Sequence, residues 1–128
     1  MVDATLLLPS IEEASLNAIL LGRCLPDVNI NCGNLEGEIF KIIKSSGDDV
    51  LNKMFPEYRQ YGYSRRIDDV FSPLLHGGAL CWEGVDLDRT IPASFTRLEE
   101  GTKKVLGEQR YMFLKQLGSQ IPIKSKSK

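Results

Sequence analysis

Three observations predict an α+β fold class: a single small, helix-rich domain whose N- and C-terminal helices pack on a small antiparallel sheet. A capped amphipathic segment stands near the start, "SIEEASLNAILLGRCLP" from Ser10 to Pro26. A long helical pattern runs from about Ile91 to Leu117. Between them lie short stretches of strand-like alternation. Helical segments at both ends of a modest chain with a little β-structure between them are the pattern of an α+β domain.

At 128 residues the chain has room for one core. A composition of 42% hydrophobic and 26% charged residues is that of an ordinary globular domain. The expected division is a globular domain over 1–120 and a basic Lys/Ser tail over 121–128.

In the first segment Ser10 is the expected N-cap, and Glu13 three residues on completes a capping box. Ile11, Ala14, Ala18 and Leu21 mark one apolar side, which Leu16, Ile19 and Leu20 widen. So wide an apolar surface predicts burial on more than one side. Gly22 and Pro26 close the helix.

Val28, Ile30 and Cys32 then alternate with polar residues and predict a short strand ending at Cys-Gly-Asn. "EIFKII" fits helix or strand; its isoleucines and the nearby Gly37 tilt the reading towards strand. "DVLNKMF" predicts a short helix capped by Asp48 or Asp49. "IDDVFSPLLHGG" begins as a helix that Pro73 should keep short. "ALCWEGVDL" reads as a strand with Leu80 and Trp82 inward, continuing past Gly84 to Val85 and Leu87. In the last helix Pro92 falls in the first turn, where a missing N–H is harmless. Its expected apolar stripe is Phe95, Leu98, Val105, Met112 and Leu117, with Leu106 and Phe113 beside it. Glu99 with Lys103 and Glu100 with Lys104 are spaced as i,i+4 pairs on the wet side.

Charge and thiols bound the function. The first 120 residues hold thirteen basic against seventeen acidic side chains, a net −4, and the last eight add three lysines. A mildly acidic body lacks the phosphate-neutralising charge of a duplex-DNA binder. No apolar run approaches the roughly 18 residues that span a bilayer. "ATLLL" is cut off by Pro9 and followed by Glu12-Glu13, which fits no secretory leader. Three cysteines without an export signal predict reduced thiols in the cytoplasm.

Three constellations carry chemistry. Cys24, Cys32, His76 and Cys81 are ligand types that zinc accepts, but zinc ligands come in tight pairs, and here seven and four residues intervene. No metal and no cofactor is expected. "YRQYGYSRR" interleaves Tyr58, Tyr61 and Tyr63 with Arg59, Arg65 and Arg66, pairing flat, stiff rings with forked cationic donors. That chemistry serves protein interfaces and single-stranded nucleic-acid platforms. Glu57, Asp68 and Asp69 interrupt a phosphate-binding strip, which favours a protein partner over RNA. "HGGALCWEG" offers Cys81 as a nucleophile with His76 five residues before it across the Gly77-Gly78 turn. Strand alternation turns Cys81 away from Leu80 and Trp82, onto the open face.

The region from Phe71 to Leu106 resembles the active-site region of ubiquitin-conjugating enzymes. Ser72-Pro73-Leu74 precedes, Gly78-Ala79-Leu80-Cys81 stands where the family has its active cysteine, and Ile91-Pro92-Ala93-Ser94-Phe95-Thr96 opens a following helix. "LEGEIFKI" and "FPEY" follow the first helix in the family's order. The resemblance implies that Cys81 forms a thioester. Leu74 stands where the family's oxyanion-stabilising asparagine would be, and "SSGDDVLNK" intrudes where a short turn is expected. Two classes therefore compete: a non-catalytic interaction or assembly module and a cysteine-based carrier enzyme. The first explains more of the chain, which has no second base, acid pair or phosphate loop. It predicts that the Tyr/Arg loop and the C-terminal helix meet a protein partner.

Overall fold

The computed structural model of the chain describes residues 9–56, 64–82 and 89–123. Helix α1 (Ile11–Leu21) starts at the expected capping box: Glu13 N–H donates to Ser10 Oγ at 3.1 Å and Ser10 N–H to Glu13 Oε1 at 2.9 Å. Every residue from Ala14 to Leu21 is buried, so α1 is the central helix of the domain. Ile11, expected on its apolar side, is instead exposed at the helix's first turn.

Strand β1 (Ile30–Cys32) forms at the end of the predicted stretch, while Val28 lies before it and is exposed, bridging Leu25. The next segment is helix α2 (Leu35–Ser46), not a strand. Asn34 takes the left-handed conformation that asparagine tolerates, and its side chain accepts from Gly37 N–H at 3.4 Å. A Cβ on Gly37 would lie 2.4 Å from Asn34 Nδ2, so Gly37 makes room for the cap rather than marking a strand. Gly47, at φ +69°, ends the helix. Leu35, Ile39, Phe40, Ile42 and Ile43 then fall on one buried side at helical spacing.

Asp48 caps α3 (Asp49–Met54), accepting from Leu51 N–H at 2.9 Å. Arg110 holds the same carboxylate through two bonds of 3.0 and 2.6 Å, the forked geometry that makes such pairs strong. Those bonds hold the Asp48 carboxyl below its ordinary value. Asp48→Ala is expected to cost about 2 kcal/mol through lost cap and clamp together. Because the folded pKa is depressed, this stability is present at neutral pH and is lost as pH falls below about 3.8 and through the folded value. Urea unfolding at pH 7 and pH 3 measures both: the wild type should approach the variant at the lower pH.

Helix α4 (Arg65–His76) runs through Pro73. Ile67, Val70, Phe71 and Leu75 are buried on one side, while Pro73 and Asp69, whose carbonyl loses its partner, are on the exposed side. Water can satisfy that carbonyl, so packing overrides the proline. After the glycine turn come β2 (Cys81–Trp82) and β3 (Arg89–Ile91). The sheet is antiparallel in the order β1-β3-β2, with Ile30 opposite Ile91 and Cys81 opposite Thr90. The strand expected beyond Trp82, with Val85 and Leu87, lies outside the described residues.

The expected long helix is three pieces: a 3-10 helix (Ala93–Leu98), α5 (Glu99–Leu106) and α6 (Glu108–Gly118). Ile91 belongs to the sheet, and Gly107 breaks the run at φ +84°, ψ 157°, a conformation open to glycine alone. The break rephases the apolar stripe. Tyr111, Leu114 and Leu117 face inward, whereas Met112 and Phe113 are exposed. Glu99 pairs across the break with Lys115 at 3.7 Å and accepts from the Tyr111 hydroxyl.

α1 packs chiefly against α5 and α6, with α4 and the 3-10 helix also touching it. Helices and sheet share one core: Ile30, Cys32 and Ile91 from the strands join Leu16, Ile19, Phe71 and Leu114 from the helices. The domain is α+β, as the sequence predicts. Ile121, inside the segment read as tail, is fully buried, and Arg23 donates to its carbonyl at 2.8 Å. Residues 124–128 of that segment lie outside the described residues.

Candidate functional site

The turn from α4 into β2 positions the candidate nucleophile. Gly77 N–H donates to Pro73 O at 2.8 Å, Gly78 turns the chain at φ +83°, and Leu80 N–H donates to Leu74 O at 3.1 Å. Leu80 is thereby buried and Cys81, the next residue, is exposed. The side chain of Trp82, expected to face inward beside Leu80, lies outside the described residues. His76 is exposed at the end of α4, and its Nδ1 lies 3.5 Å from Ser72 Oγ, one helical turn back along the same helix. Among the described residues the imidazole thus meets Ser72 rather than Cys81.

The other thiols sit elsewhere. Cys24 is half-buried after α1 and donates to Pro92 O at 3.6 Å. Cys32 is buried in β1, where burial pushes its thiol up to about 11. Among the described residues, no three His, Cys, Asp or Glu side chains gather to hold a metal ion.

Of the expected partner-binding set, Arg65 and Arg66 open α4 and are exposed; Arg66 Nη2 lies 3.3 Å from Glu12 Oε2 on α1. Tyr58, Arg59, Tyr61 and Tyr63 lie outside the described residues.

Sequence reasoning placed Met112 in the buried stripe, and the structure puts it at 53% exposure beside Phe113 at 38%. The Arg110 guanidinium lies over the Phe113 ring, 5.3 Å from its centre, while gripping Asp48. α6 thus presents a cation-stacked aromatic and a flexible thioether side by side, a combination enriched at protein interfaces. The signal that could have found them is Gly107 followed by the acidic Glu108, a helix stop and a new helix start.

A buried ion pair joins residues far apart in the chain, with no local signal in the sequence. Arg89 of β3 meets Glu36 in the first turn of α2 at 3.0 Å, with side chains 6% and 12% exposed. Burial raises the Glu36 carboxyl above its ordinary value. Burial, with Asp69 adding to it, raises that of Asp68, which also feels Arg89.

No known protein-family model, curated protein or solved structure matches this chain significantly. Among the described residues no helix is long and apolar enough to cross a membrane.

Proposed function

We propose that this chain is a non-catalytic interaction or assembly module that binds a protein partner through its C-terminal helix, together with the segment carrying Tyr58, Arg59, Tyr61, Tyr63, Arg65 and Arg66. The observation that carries this reading is the exposed Met112–Phe113 pair on α6, with Arg110 stacked on the ring. Aromatic and arginine side chains dominate interface hot spots because they bury large area at small entropic cost. The exposed Arg65 and Arg66 add forked donors at the start of α4. The reading places the protein in the cytoplasm, and three unpaired thiols, one fully buried, support a reducing compartment.

Met112→Asp with Phe113→Asp tests the helix, and Arg65→Ala with Arg66→Ala tests the start of α4. All four positions are exposed, so thermal stability should change by about 1 kcal/mol or less. Recovery of co-purifying protein from a tagged bait should fall at least about tenfold for the α6 pair. Unchanged recovery with both pairs would sink the proposal.

A second reading is favoured by one observation: the exposure of Cys81 at the start of β2. In that reading the chain is a ubiquitin-conjugating-enzyme-like domain with Cys81 as the thioester-forming residue and His76, five residues before it in the chain, as its candidate base. An activated thiol reacts faster in its folded setting than in the free chain. Cys81 would then label with iodoacetamide faster in the native protein than in urea at the same pH. An equal or slower native rate would remove the enzyme reading.

A further inference from the structure

The break at Gly107 folds α6 back so that Tyr111 and Lys115 meet Glu99 at the start of α5. These three line a cavity of about 310 Å³ beside the end of α1, a volume at the small end of the range for small-molecule sites. Leu21 and Pro26 supply apolar wall, and Cys24 and Thr96 complete the lining.

The charges are arranged unusually. The Tyr111 hydroxyl donates to Glu99 Oε2 at 2.5 Å, and Lys115 Nζ lies 3.7 Å from the same oxygen. Among the described residues neither bond goes to Oε1, so that oxygen keeps its accepting capacity. The Tyr111 bond, more than the lysines, holds the Glu99 carboxyl below its ordinary value, so it is ionised at neutral pH. Lys115 spends one contact on Glu99 and has further N–H groups to donate. The Lys103 and Lys115 ammonium groups lie 5.6 and 5.5 Å from the centre of the Tyr111 ring.

A plain anion entering this cavity would meet the Glu99 carboxylate, and a plain cation would meet the Lys115 ammonium group. A ligand carrying both signs on neighbouring atoms avoids both penalties, because each of its charges faces an opposite one. We propose that the cavity between the end of α1 and the α5–α6 turn binds a free α-amino acid. Its ammonium group donates to Glu99 Oε1, its carboxylate accepts from Lys115, and its side chain lies against Leu21 and Pro26. Tyr111 is a positioning residue: its hydroxyl fixes the carboxylate before the ligand arrives, which limits the ordering cost of binding.

The test is isothermal titration of the full chain with the common L-amino acids. For each that binds, the N-acetylated form and the methyl ester serve as probes with one charge removed. At least one free amino acid should bind with a Kd below about 1 mM, and both blocked forms should bind at least about tenfold more weakly. Glu99→Gln and Lys115→Met should each weaken binding by a similar factor. Because Glu99→Gln could loosen α5 against α6, a second readout uses the native lining. In a Cys81→Ser background, saturating ligand should slow N-ethylmaleimide labelling of Cys24 at least about threefold while leaving the buried Cys32 unchanged. Three results overturn the proposal: no amino acid binding with a Kd below about 1 mM, either blocked form binding less than about tenfold more weakly than the free one, or unaltered Cys24 labelling at saturation.

Discussion

Replacing Gly118 by alanine is expected to destabilise the domain by at least about 3 kcal/mol, the upper range for overpacking. A Cβ at Gly118 would stand 1.7 Å from the Ile19 carbonyl oxygen and 2.7 Å from its carbon. The reciprocal position gives the same result: a Cβ at Gly22 would stand 2.0 Å from Lys115 O and 3.0 Å from Gly118 Cα. Both obstacles are backbone, so no side chain can swing aside, and α1 would have to separate from α6. The better helix propensity of alanine returns about 1 kcal/mol at most. Calorimetry should show a midpoint lower by about 10 °C or more for either variant. The double variant should lose less than the sum, since one displaced helix accommodates both methyl groups. A loss under about 1 kcal/mol in Gly118→Ala would mean that the two helices do not pack at this separation.

Arg89→Ala is expected to cost about 3–5 kcal/mol at pH 7, because it strands the Glu36 carboxylate in the interior. The sign with pH follows from the raised Glu36 value. A carboxyl whose folded pKa lies above its unfolded one binds its proton more tightly when folded. Its destabilising effect therefore grows as pH rises from about 4.5 through the folded value, and shrinks as pH falls. Without Arg89 the folded value rises further, so the deficit of the variant should narrow on acidification. Urea unfolding from pH 4.5 to pH 7.5 measures it. Glu36→Leu with Arg89→Met should recover most of the loss, since a packed apolar pair removes the stranded charge. A deficit that is flat with pH would show that Arg89 acts through packing alone.

The two sites proposed here depend on one local event, the interruption of the C-terminal helix at Gly107. Without it Met112 would continue the buried stripe, and Tyr111 and Lys115 would run on along one helix, roughly three to four turns away from Glu99. With it, Met112 and Phe113 face outward and Glu99 meets Tyr111 and Lys115. Gly107 was visible in the chain, but a single glycine within a helical pattern is usually tolerated at modest cost. What decides between a tolerated glycine and a break is whether the next turn packs better in a new phase. That depends on α1, nearly a hundred residues away in sequence.

The sequence by itself determined the α+β class, the Ser10–Glu13 capping box, a cap at Asp48 or Asp49, a short strand ending at Cys32 and the outward Cys81 beside the inward Leu80. Each rests on groups within a few residues of one another, where periodicity and capping chemistry act. Tertiary structure alone decided that "EIFKII" is helical, that α4 runs through Pro73, and that the last helix is broken. It also decided that Glu36 meets Arg89 and Asp48 meets Arg110, pairs 53 and 62 residues apart. For the α2 and last-helix segments, burial against distant partners outweighs local preferences of about 1 kcal/mol or less. At Pro73 the backbone bond lost to the proline faces water, so packing of the opposite side prevails.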